Sequence, residues 1–175
     1  IPVVQLPKPR KIKPRIKPLP RKEWTDASRE VAAFWGEPNA WEEGSKTNII
    51  MVMCNNPPLG AAYNVWGMHL LAKNSIVARQ QELIILRVAW KVRSEYEWHN
   101  HVGYAINAGV KLEEIAELRE KKIDPTKWNE DEALMLRGVD ELMAKGNLSN
   151  KTWKALTKIY NRQQMMDYVF TIGHY

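Results

Sequence analysis

Residues 82–90 read ELIILRVAW and, after a three-residue break, residues 94–101 read SEYEWHNH. Leu83, Ile84, Leu86, Val88 and Ala89 point nearly all round a helical wheel. A helix that is apolar on every side is a buried one, so the pattern predicts a central helix over about 77–92. Its apolar stretch, 82–90, carries Glu82 and Arg87. A charge in such a helix needs a partner or a polar cavity, and the reading here is a structural ion pair in which Arg87 braces Glu82 or Glu97. Ser94 has the form of an N-cap for the next helix. Four residues separate Glu97 from His101, so the two share a helix face with Ser94 one turn earlier. A packed antiparallel pair of helices would bring Glu82 to that face.

Helical spacing continues on both sides. A short helix is predicted over about 26–35, followed by a loop marked by Gly36, Pro38, Asn39 and Gly44. Thr47 or Asn48 can cap a helix over 49–54, and Pro57 and Pro58 can start the next, to about 73. Gly109 sits where a helix end needs positive φ. A helix over about 112–121 precedes Asp124 and Pro125. Asn129 with Glu132 reads as a capping box for a helix that Gly146 stops, and Ser149 or Asn150 caps another. A last helix is predicted over 164–172. No segment reads as a strand, and no fixed-period repeat occurs.

Residues 1–22 differ from the rest. They hold six prolines and eight Lys or Arg and no acid, which predicts an extended basic arm ahead of a helical domain over 23–175. Beyond the arm, 18 basic residues face 20 acids, so the body is nearly neutral at −2. The arm lacks interleaved aromatics for base stacking, and a spacer or an arm laid across a neighbouring subunit is preferred over a nucleic-acid binder. No stretch is long enough to span a bilayer, no charged-then-apolar signal pattern opens the chain, and a cytoplasmic location is expected. The single cysteine, Cys54, excludes an internal disulfide and any CxxC motif. It reads as a small buried hydrophobe.

His99 and His101 are two apart and diverge on a helix, and HxxxH and HExxH are both absent. A metal is not expected, nor is a cofactor, since no Gly-rich phosphate loop occurs. His69, near Trp66 and Met68, has the bland reading of a packed core histidine. The Glu97–His101 pair reads either as a solvated i,i+4 pair or as a proton-handling pair, in which the carboxylate orients the ring or shares its proton.

The segments ELIILRVAW and SEYEWHNH, with WNEDEALMLRGVDEL (128–142), LSNKTWKAL (148–156) and the final IGHY, resemble the carboxymuconolactone decarboxylase / alkylhydroperoxidase D-like family. The resemblance covers roughly 17–175. It implies an all-α, alkylhydroperoxidase D-like helical bundle assembled as a homo-oligomer, a trimer or hexamer, with some dimers known. The family's peroxidase branch carries a Glu, then CxxC, then a His four residues after the second Cys. The Glu falls on Glu82 and the His on His101. The two cysteine positions hold Ser94 and Glu97, with Tyr96 between them. Thiol-based peroxide reduction is thereby excluded, because the thiolate is the nucleophile.

The family's other named activity decarboxylates a carboxylated muconolactone without a cofactor. The resemblance then makes His101 the proton donor or base, with Glu97 orienting it. Glu82 and Tyr96 would hold the network or polarise a carbonyl. Ser94, Trp66, His69, Trp90 and Trp98 are the candidates for binding a small-molecule substrate. Three readings stand side by side. One is a cofactor-free lyase or isomerase on a small cyclic carboxylate or lactone. Another is a cyclase, dehydratase or hydrolase of a specialised pathway. The third is a non-catalytic oligomer using its basic arm.

Overall fold

The computed structural model describes residues 14–175. Among them ten α-helices and two 3-10 turns alternate with short connections, and no strand occurs. The all-α expectation holds. Residues 14–20 of the expected arm are non-helical, and 21–23 form a 3-10 turn. Residues 1–13 of the arm lie outside the described residues. No helix among the described residues is long and apolar enough to cross a membrane.

The chain divides into two compact units, Lys11–Lys73 and Asn74–Tyr175, the first described from Pro14. The first unit holds α1 (Asp26–Ala33), α2 (Ala40–Glu43), α3 (Asn48–Met53) and α4 (Pro57–Ala72). The Thr25 hydroxyl caps α1 by accepting from the Ser28 amide, and Asn56 caps α4 ahead of Pro57. The four-residue α2 lies inside the stretch expected to be loop, between Asn39 and Gly44, both at positive φ. Periodicity is invisible over a single turn. Val31, Ala32, Ile50, Met51 and Cys54 form this unit's buried cluster. A Cβ on Gly60 would meet Val31 Cγ1 at 2.8 Å, so the missing side chain is what lets α1 and α4 approach. Cys54 is buried as expected, and burial pushes its thiol pKa up.

The second unit holds α5 (Ala78–Val92), α6 (Glu95–Asn107), α7 (Leu112–Glu117), α8 (Glu130–Lys145), α9 (Asn150–Ile159) and α10 (Arg162–His174). Every residue from Gln81 to Ala89 is buried, as its all-round apolar pattern requires, and α6, α8 and α10 pack against α5. α5 ends at Arg93 with φ 60°, and the Ser94 amide reaches back to the Ala89 carbonyl. That left-handed turn reverses the chain within one residue and lays α6 antiparallel on α5. Ser94 then caps α6, its hydroxyl accepting from the Glu97 amide.

Arg87 is a structural ion, but its partner corrects the sequence reading. Its guanidinium holds Asp140 of α8 through Nε and Nη2 at 2.8 Å each, and donates to the carbonyls of Leu118 and Glu120 at 2.7 Å. Neither Glu82 nor Glu97 is braced by it. Arg87 lies five residues past Glu82, about 140° round the helix at 100° per residue, so the two charges face different neighbours. Three smaller differences each have their own setting. α7 stops at Glu117, and the carbonyls of Leu118 and Glu120 just beyond it accept from Arg87. Asn129 does cap α8, but the Glu132 carboxylate goes to Arg79 rather than back to the cap. α10 begins at Arg162 because Asn161 and Gln164 form a reciprocal capping box.

Candidate active site

His101 is 5% exposed on the inner face of α6. Both its ring nitrogens face carboxylates. Nδ1 lies 2.9 Å from Glu82 Oε2 on α5, and Nε2 lies 3.7 Å from Glu97 Oε2 one turn back on α6. An ionised carboxylate only accepts, so the Glu82 contact places a proton on Nδ1. Nε2 is left as the nitrogen that exchanges its proton, facing Glu97. The sequence expectation that an antiparallel helix pair would bring Glu82 to the Glu97–His101 face is met.

The two carboxylates differ in role. Glu82 is buried and hydrogen-bonded to the ring, so it orients the imidazole. Burial raises the Glu97 pKa above the ordinary carboxylate range, against the opposing pull of the His101 charge. A carboxyl that holds its proton more tightly, beside an imidazole nitrogen with none fixed to it, makes a pair able to share one proton. At 3.7 Å the pair is outside hydrogen-bond length, so no proton passes directly between them in this geometry.

Aromatic rings enclose this cluster. The Tyr175 ring stands edge-on to His101 at 4.9 Å and the Tyr104 ring is tilted against it at 5.5 Å. His174, at the end of α10, is half-buried, and its pKa is lowered by burial and then by the His101 charge. Neither His174 nor Tyr175 was singled out from the sequence. They lie more than 70 residues from His101, and only the return of α10 onto α5 brings them in.

The other predicted residues are distributed as follows. Trp90 and Trp98 pack against each other, ring centroids 5.4 Å apart, within this unit's core. Trp98 sits one turn from His101 on the buried side of α6, and its indole nitrogen is buried without a hydrogen-bond partner. The Ser94 hydroxyl is engaged as the α6 cap. Tyr96 is 39% exposed, about 140° round α6 from His101. Trp66 and His69 belong to α4 in the first unit, where Trp66 is 38% exposed. A groove of about 600 Å³ in the second unit is lined by Lys122, Ile123, Trp128, Leu134 and Lys145 among others, and the His101 cluster is not part of its wall. The chemistry, and not that groove, defines the candidate site.

The helices that build this cluster also carry the decisive comparison. Residues 57–136 match the carboxymuconolactone decarboxylase family. That match supports the resemblance seen in the sequence. The matched stretch contains Glu82, Ser94, Tyr96, Glu97 and His101, and stops short of His174 and Tyr175. No curated protein matches the chain.

Proposed function

We propose that this protein is a cofactor-independent acid–base catalyst of the lyase or isomerase type, acting on a small cyclic carboxylate or lactone. The observation that supports it is the placement of His101 between two carboxylates in a nearly dry setting, one hydrogen-bonded at Nδ1 and the other facing Nε2. In a decarboxylation the bond from ring carbon to carboxylate breaks and CO₂ leaves. Its electron pair delocalises toward the lactone carbonyl, and the carbon then takes a proton. In this reading His101 Nε2 delivers that proton, Glu97 resupplies it, and Glu82 holds the ring and stabilises its charged form. Tyr96 and Ser94 are proposed to border the substrate, with Trp90 and Trp98 as further wall residues. No thiol is available on α6, so the same scaffold does not support peroxide reduction by a cysteine pair.

The test is turnover of a carboxylated muconolactone, followed by CO₂ release and by ring-proton exchange in D₂O. His101→Gln and Glu97→Gln are each expected to lower the rate by about 10²–10⁴, the usual contribution of a positioned acid or base. Retention of parental rates by both variants would remove His101 from the chemistry.

A further inference from the structure

The groove of about 600 Å³ lies between α8 and the segment that leads into it, wholly within the second unit. Its volume is in the range of small-molecule sites. On α8 its lining residues recur at three- and four-residue steps from Glu130 to Ala144, so they form one stripe along a single helix face. Lys122, Ile123, Pro125 and Trp128 make the opposite wall.

The groove has two unlike ends. Arg87 bonds Asp140 together with the carbonyls of Leu118, Glu120 and Lys121, which sets the adjoining Lys122 beside the second half of α8. Trp128 directly precedes the Asn129 cap, and the 3-10 turn Pro125–Lys127 packs on α8, which sets the indole beside the first half. One end is therefore apolar, at Trp128, Ala133 and Leu134, and the other carries Lys122 and Lys145. Leu134 and Lys145 lie roughly 16 Å apart along the helix axis, at about 1.5 Å per residue.

At the basic end the carboxylates are already taken. Asp140 holds Arg87 and Lys91, and Glu141 accepts from Ser149, Thr152 and Arg137. Lys122 and Lys145 are exposed, and among the described residues no carboxylate holds either of them. Counting Arg87 and Lys91 with the lining side chains, five basic groups face three acidic ones, so the groove keeps a positive surplus at that end. Glu130 stands exposed at the opposite end, where it repels a second anionic group. The Trp128 indole N–H has no hydrogen-bond partner, so packing alone holds the ring, and its signal is sensitive to what lies against it.

We propose that this groove binds a small amphipathic monocarboxylate. The carboxylate sits between Lys122 and Lys145, and an unbranched hydrocarbon body lies along Leu134, Ala133 and Trp128. The site goes beyond the acid–base reading and does not depend on it, because the His101 cluster is not part of the groove wall.

The experiment titrates the full chain with decanoate, below its micelle-forming concentration, by calorimetry and by NMR of the indole N–H signals. The Trp128 signal is assigned with Trp128→Phe. Decanol and decanedioate are the comparison ligands. Decanoate is expected to shift the Trp128 signal saturably, and decanol and decanedioate to bind more weakly. Lys122→Ala and Lys145→Ala, both at exposed positions, should each weaken binding about two- to fivefold, the worth of one exposed ion pair. Ala144→Glu, also exposed, should weaken it more, and raised salt should do the same. Glu97→Gln should leave it unchanged. A Trp128 signal that ignores decanoate, decanol binding as tightly as decanoate, or full affinity in both lysine variants overturns the proposal. So does decanoate binding that Glu97→Gln weakens, which would place the ligand at the His101 cluster. A concentration-dependent dimer in sedimentation that Ala144→Glu dissolves would put a second copy of the chain in the groove, and equally overturns it.

Discussion

Removing Asp140 should be among the most destabilising single changes away from the candidate site. Arg87 is fully buried, and Asp140 supplies the carboxylate it holds, through two bonds of 2.8 Å. Its remaining bonds are to the backbone carbonyls of Leu118, Glu120 and, at 3.5 Å, Lys121, which carry no compensating charge. Breaking a buried pair by deleting one partner costs about 3–5 kcal/mol, because the surviving ion stays desolvated. The Asp140 side chain is 24% exposed and water can approach from its side, so the lower end, about 3 kcal/mol, applies to Asp140→Ala. With a urea slope of about 2 kcal/mol per molar, the unfolding midpoint should fall by about 1.5 M at unchanged slope. Lys91 also reaches Asp140, at 3.2 Å, but its side chain is 29% exposed, so Lys91→Ala should cost less than about 1 kcal/mol. Replacing both members, Arg87→Met with Asp140→Leu, should recover part of the loss. A cost below about 1 kcal/mol for Asp140→Ala would refute the reasoning, since it would mean that the backbone carbonyls alone satisfy Arg87.

Two further perturbations test the packing and electrostatics of the same unit. A Cβ at Gly138 would collide with the Tyr168 hydroxyl and press on Leu156 Cδ1 at 3.1 Å, displacing the bond from Tyr168 to the Met135 carbonyl. Gly138→Ala should therefore cost about 1–3 kcal/mol, read as a drop of several degrees in calorimetric Tm, and an unchanged Tm would show that Tyr168 yields freely. Burial alone would raise the Glu141 pKa, but bonds from Thr152, the Ser149 amide and hydroxyl, and Arg137 outweigh it and lower the pKa to about 2. The folded value lies below the unfolded one, so its stabilisation is complete above about pH 4.5 and lost as pH falls toward 2. Glu141→Gln should flatten that acid limb in denaturant titrations between pH 5 and 2, and an identical limb would count against the network.

The all-α architecture was legible in the chain because amphipathic spacing, N-cap residues and Gly stops are local signals. α5 is the clearest case. Its apolar residues on every side leave it no place except the interior, and Gln81–Ala89 are all buried. The Ser94 cap and the Glu97–His101 pair were equally readable, since four residues on a helix fix a shared face. The absence of a thiol on α6 needed no structure at all.

Partner choice was decided by tertiary packing. Nothing local distinguishes Asp140 from Glu82 as the mate of Arg87. The choice depends on which face of α5 meets α8 and which meets α6, and that follows from how three helices pack together. The same holds for His174 and Tyr175, which read as an ordinary helix end until α10 folds back and sets an aromatic edge against His101. Side-chain periodicity decides which residues go inside. The pairing of charges once inside is settled by long-range geometry, because a buried ion accepts whichever opposite charge the packed helices bring within reach.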